Sequence, residues 1–190
     1  MARHKSISDE AILDAVLDQM LAAGPSNLTL AQAGKAAGLS PATLVQRYGD
    51  KDTLIEAALL HAWNLLDQAT ALADLEEPLT PEGAIRLLLR LVTRENAEKN
   101  ETDGLLILRE DIRNPILRAR GAAWGAALAA ALGRRLTDDA AKATSLGWQM
   151  AGVWIGARIW WAFTRTETFD IAIRCSLEEW CSVATRVTSQ

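Results

Sequence analysis

The 190-residue chain has two cysteines, two histidines, one tyrosine and five prolines. Cys175 and Cys181 are too few for a disulfide framework or a four-ligand zinc site. Six positions apart on one helix, they point to different faces, so two unbridged thiols in a reducing compartment are expected. His4 and His61 are a poor supply for metal binding or acid–base chemistry. No Gly-rich phosphate loop occurs, and no Ser-His-Asp or Cys-His set has workable spacing. Glu110 and Asp111, the nearest acid pair, are neighbours and face different sides of a helix. A protein that is not an enzyme and holds no metal or other cofactor is therefore expected.

A long apolar run is also missing. Residues 147–163 form the most apolar stretch, but Gln149 and Arg158 interrupt it, and it falls short of the roughly 18–20 residues a spanning helix needs. Residues 1–8 are polar and lead into Asp9, Glu10, Asp14 and Asp18, so no signal-peptide core is visible. The expected setting is the cytoplasm, without a membrane partner. A net charge of −4 and a pI near 5.3 exclude a uniformly basic coat for nucleic acid, though not a local basic face. The alternating Val/Ile/Thr runs that mark strands are absent too.

What is present reads as helix. The expectation is an all-α chain of about nine helices, with residues 1–55 as a small three-helix domain and 56–190 as a larger helical one. Ser8 can cap a first helix whose Ile12, Leu13, Val16, Leu17, Met20 and Leu21 fall at helical spacing, and Gly24-Pro25 stops it. Thr29 caps a short second helix that Gly38 ends. Ser40 caps a third, with Pro41 at its first position and Leu39 and Leu44 placed as a hydrophobic staple. Asp50 opens a long fourth helix towards Leu75. Later starts fall at Thr80-Pro81, Asn114-Pro115 and Thr137-Asp138-Asp139. All seven tryptophans lie after position 62.

Residues 29–54 form the strongest motif. Two short helices joined by Ala37-Gly38-Leu39-Ser40 fit a helix-turn-helix, in which the second helix enters the major groove. Pro41, Ala42 and Thr43 occupy its first turn, and Gln46 and Arg47 can point outward one turn on. Gln pairs with adenine and Arg with guanine, while Thr offers a hydroxyl and a methyl. The helix starts at Thr29 and at Asp50-Lys51 suit phosphates, and Lys51 adds a charge there. Against this, residues 1–55 hold five basic side chains and six acidic ones. Four of the acids line the first helix, whereas Lys35, Arg47 and Lys51 gather near the reading helix. Arg3-His4-Lys5 adds a potential basic arm.

The segment resembles the N-terminal domain of the tetracycline-repressor (TetR) family. The resemblance rests on Thr29, Ala37-Gly38-Leu39-Ser40, Thr43-Leu44, Tyr48-Gly49-Asp50-Lys51-Asp52 and Leu54, about a quarter of the chain. It implies DNA contacts from Thr29, Ser40, Pro41, Ala42, Thr43, Gln46, Arg47, Tyr48 and Lys51, with Tyr48 equally suited to packing. Val45 stands where the family usually has Tyr, and Arg47 where His or Tyr is common, which changes the operator read. Ala33 and Gly34 replace an aliphatic-Ala pair and imply a more loosely packed second helix.

The resemblance further implies a homodimer on a palindromic operator, built through the last two helices (about 137–164 and 167–186). Ala143, Gly147, Ala151 and Arg158 lie on one stripe, with Gly152 and Gly156 beside it. Leu177, Trp180, Cys181 and Ala184 form an apolar face on the last helix. A small effector is implied as well, with Trp63, Trp124, Trp148, Trp154 and Trp161 on cavity-lining helices and Asp103, Glu110 or Asp111 able to hold a cationic group. Most of these tryptophans fit a core or interface role equally well. The function implied is a repressor that double-stranded DNA binds and a small, largely apolar or aromatic effector releases. A helical ligand-binding or protein-interaction module without DNA binding is the alternative.

Overall fold

A computed structural model describes residues 7–92 and 105–188, with side chains as far as 184. Arg3, His4, Lys5 and Asp103 lie outside the described residues. Nine α-helices and one 3-10 turn make up the described chain, with no strand among these residues. They are α1 (Asp9–Ala23), the turn Pro25–Asn27, α2 (Leu30–Ala37), α3 (Pro41–Tyr48), α4 (Lys51–Glu76) and α5 (Pro81–Arg90). α6 (residues 105–113), α7 (Pro115–Leu136), α8 (Ala140–Thr164) and α9 (Phe169–Thr188) follow. No described helix is long and apolar enough to cross a membrane.

The helix ends follow from residues close by in sequence. Ser8 Oγ accepts from the Ala11 N–H at 3.3 Å, and the chain leaves α1 through Gly24 at φ 79°. Thr29 and Gln32 form a reciprocal capping box: Thr29 Oγ1 accepts from the Gln32 N–H at 3.2 Å, and Gln32 Oε1 accepts from the Thr29 N–H at 2.8 Å. Gly38 takes the left-handed conformation (φ 68°, ψ 28°), which brings the Leu39 N–H to the Gly34 carbonyl at 2.8 Å. Ser40 caps α3 through the Thr43 N–H at 3.1 Å. Thr80, Asn114 and Asp139 cap α5, α7 and α8 in turn.

By contacts the chain forms two compact units. The first contains residues 1–65 and 103–120, the second 66–102 and 121–190. Residues 105–120, in α6 and the first turns of α7, thus pack with the N-terminal helices. The first unit closes on Ile12, Val16 and Met20 of α1, Ala33 and Ala37 of α2, Leu44 of α3, Leu54 and Leu59 of α4, and Leu117 of α7. Burial of these side chains stabilises the unit by roughly 1.5–3 kcal/mol for each large one.

The second helix is not loosely packed, contrary to the expectation from Ala33 and Gly34. Ala33 is fully buried, and a Cβ on Gly34 would come within 2.6 Å of the Leu39 carbonyl. The missing side chain lets the turn press against α2, so glycine here tightens the motif.

In the second unit α9 packs on α8 and α5, and the core includes Leu87, Leu88, Leu132, Met150, Trp154, Phe169, Ile173 and Leu177. Arg135 is buried among them with every nitrogen engaged. Its guanidinium donates to Asp74 Oδ1 at 2.6 Å and to the carbonyls of Asp74, Glu77, Pro78 and Ala131 at 2.7–3.1 Å. It closes the C-terminus of α4, where orphan carbonyls and the helix dipole favour a cation.

Candidate nucleic-acid interface

α3 is anchored by one side and bare on the other. Leu44 is fully buried, Thr43 and Tyr48 are half-buried, and Pro41, Ala42, Val45 and Gln46 are exposed. A helix turns about 100° per residue, which puts Ala42 and Gln46 almost opposite Leu44, with Val45 and Thr43 on the flanks. Ser40 is exposed at the cap, and its Oγ lies 2.8 Å from Thr43 Oγ1. Thr29 is exposed at the start of α2, and Lys51 is half-buried at the start of α4. There Asp50 Oδ1 accepts from the Thr53 N–H at 2.8 Å, which holds the Asp50 carboxyl below its usual range.

Two residues expected at the interface have intramolecular partners. Arg47 Nη1 donates to the Ile7 carbonyl at 3.0 Å and reaches Asp9 Oδ1 at 3.4 Å. The Tyr48 hydroxyl donates to the same Asp9 oxygen at 3.1 Å. Burial, then the Asp9 hydrogen bond and charge, push the Tyr48 phenol up to about 12. Together these contacts fasten the end of α3 to the start of α1. In the sequence Asp9 is only one of the four acids that line the first helix, because nothing local in that stretch reveals a partner 38 residues away.

The residues expected around an effector fall in both units. Trp63 and Glu110 belong to the first unit, and Trp124, Trp148, Trp154 and Trp161 to the second. Trp63 Nε1 donates to Asp111 Oδ1 at 3.0 Å. Asp111 is nearly buried, and that burial raises its carboxyl pKa against the opposing pull of the indole N–H. Glu110, its neighbour, turns to Arg109 at 2.8 Å and lines a cavity of about 420 Å³ with Lys51, Ile55, Glu56 and Arg113.

In the second unit Trp124 is buried and donates to Thr70 Oγ1 at 3.0 Å. Trp161 is buried edge-on to Phe169, with ring centroids 5.1 Å apart, and donates to the Glu167 carbonyl at 2.9 Å. It also borders an open groove of about 400 Å³ between α8 and α9. Trp154 is buried beneath the Arg158 guanidinium, 4.9 Å from its ring centroid, and its indole nitrogen has no hydrogen-bond partner among the described residues. Trp148 is half exposed, its ring edge against Gly125.

The stripe expected at a dimer surface turns inward instead. A Cβ on Gly147 would overlap the Ala129 carbonyl, and Gly133 leaves room for the backbone of Ala143. Ala151 is buried. Small residues on both α7 and α8 let the two backbones approach, so this side of α8 is intrachain packing. Leu177 and Cys181 are buried as well, Trp180 and Ala184 are half-buried, and burial raises the Cys181 thiol pKa. The exposed side of α8 carries Trp148, Gly152, Ile155, Ile159 and Phe163, with open space over Gly152. Cys175 is exposed on α9.

These features define an all-α protein with a helix-turn-helix near its N-terminus. No family model matches the chain, and no curated protein matches it. Among solved structures, it is similar to a candidate TetR-family transcriptional regulator from Mesorhizobium loti MAFF303099, with a TM-score of 0.63 at 20% identity. The alignment covers 92% of this chain and 95% of that one. The likeness extends over both units, and at this identity it establishes the fold.

Proposed function

We propose that the protein is a sequence-specific, DNA-binding transcriptional regulator of the cytoplasm that acts as a homodimer on a palindromic operator. The observation that supports this most is the exposed side of α3. A helix of eight residues, fixed by Leu44 and by caps at both ends, leaves Ala42, Val45 and Gln46 bare with no packing role. Thr29 and Lys51 flank it at two helix starts, where N–H groups and a cation suit phosphates. The similar structure from Mesorhizobium loti supports a regulator through its fold.

One reading helix covers too few base pairs for genomic specificity, so two copies acting on symmetric half-sites are required. The apolar side of α8 (Trp148, Ile155, Ile159 and Phe163) suits the second copy better than the buried Gly147 stripe. Residues 56–190 would respond to a small, largely apolar or aromatic effector, and effector binding would release the operator. An effector acts this way only by binding the released state more tightly than the bound one.

The test is a gel-shift titration of the full chain against a pool of random duplexes at several salt concentrations. Retention that weakens as salt rises, with a slope reduced by about one in Lys51→Ala, supports the reading. No retention at low salt contradicts it and favours a helical interaction module, a reading consistent with the small acidic excess of residues 1–55.

A further inference from the structure

We infer that the half-site is A·T-rich where it faces α3, an inference that rests on the DNA-binding reading above. Guanine is read chiefly by the bidentate donors of Arg or Lys, and cytosine by Asp or Glu. α3, Pro41–Tyr48, contains no Lys, Asp or Glu, and its one Arg is Arg47. Arg47 lies three residues beyond Leu44, about 300° around the helix and so only about 60° from the buried side. Arg47 is exposed, and its Nη1 is engaged there by the Ile7 carbonyl and Asp9. Arg47 is therefore a positioning residue that holds α3 against α1, not a base reader.

The outward arc offers a different chemistry. Gln46 is exposed and has no hydrogen-bond partner among the described residues, which leaves its amide for the N6 and N7 of adenine. Ala42 and Val45 are exposed and apolar, and contact of this kind suits the thymine methyl. The hydroxyl of the half-buried Thr43 already shares a hydrogen bond with Ser40, which leaves its methyl for apolar contact. One amide and three apolar groups form a surface for A·T pairs and hold no specific partner for G·C.

The experiment is selection of bound duplexes from a random pool by the full chain, repeated with Gln46→Ala and Arg47→Ala. The expected result is symmetric half-sites with A·T pairs at the positions facing α3. Gln46→Ala should relax one adenine position by about tenfold, the size of one bidentate pair, with an unchanged melting temperature. Arg47→Ala should weaken binding to all selected duplexes alike and leave their base preference unchanged. Half-sites with a guanine preference that disappears in Arg47→Ala would overturn this inference while leaving DNA binding intact. A pool that shows no enrichment and no retention overturns both.

Discussion

The α2–α3 pair and the α8–α9 pair are both helical, but their conformations have different sources. In α2–α3 each boundary is set by a residue within about four positions: the Thr29–Gln32 box, Gly38 at φ 68°, the Ser40 cap. One buried side chain, Leu44, then decides which side of α3 faces out. α8 is 25 residues long and mostly apolar, with Lys142, Ser145 and Gln149 near its start and Arg158 on the opposite side, so no single side is marked for the core along its length. Its orientation depends on α7, where Ala129 and Gly133 accept the backbone of α8 at Gly147 and Ala143. Short elements with polar ends are fixed locally, whereas long apolar helices are oriented by their neighbours.

Substitutions in each region separate the local causes from the remote ones. The largest loss is expected away from both pairs, at Arg135. Arg135→Leu removes the guanidinium from the carbonyls of Asp74, Glu77, Pro78 and Ala131, while the Asp74 carboxylate keeps Arg134, and a summed cost of about 3–5 kcal/mol from these acceptors is expected in urea unfolding. A cost below about 1 kcal/mol would show that this guanidinium does not hold the end of α4.

Within α8, two glycines give opposite expectations. Gly147→Ala forces a methyl into the Ala129 backbone and should cost about 1–3 kcal/mol. Gly152→Ala meets nothing within 4 Å and should raise stability by up to about 1 kcal/mol through helix propensity. Equal effects in thermal melts of the two variants would contradict the assignment of inner and outer sides.

A smaller loss is expected at Thr29. Thr29→Ala removes half of the capping box, for about 1 kcal/mol. Circular-dichroism melts that show no change would mean that α2 is held by packing alone.

The smallest effect is at Asp111, where burial raises the folded-state carboxyl pKa above the unfolded value of about 3.9. The folded state then keeps a proton that the unfolded chain releases. Its contribution is fully present below about pH 4 and is lost as pH rises through the elevated folded value. Asp111→Asn keeps an acceptor for the Trp63 N–H and removes the charge. It should be more stable than the parent at neutral pH, with a flatter dependence of urea midpoint on acidity. An unchanged dependence would place the titrating group elsewhere.

Much of this was legible in the sequence, for physical reasons that differ by residue. Ser8, Thr29, Ser40, Thr80 and Pro41 sit at or beside their helix starts because a cap acts on N–H groups two or three residues away. The all-helical class followed from composition and spacing. Arg47 and Tyr48 were legible as residues near the end of α3, but their attachment to Asp9 was not, since it joins segments distant in sequence. The tryptophans were the least legible. Trp124 and Trp161 are buried and satisfied by Thr70 and the Glu167 carbonyl, whereas Trp148 remains half exposed, and sequence spacing does not separate the cases.

The measurement that bears most directly on the account is DNA retention by Ala42→Glu, made on the full chain beside a thermal melt. Ala42 is exposed almost opposite Leu44, so a carboxylate there leaves the core untouched and sets a negative charge against the duplex. An unchanged melting temperature is expected, with a loss of retention at every salt concentration that supports binding by the parent. Retention equal to that of the parent, with the fold intact, would contradict the assignment of this side of α3 to DNA.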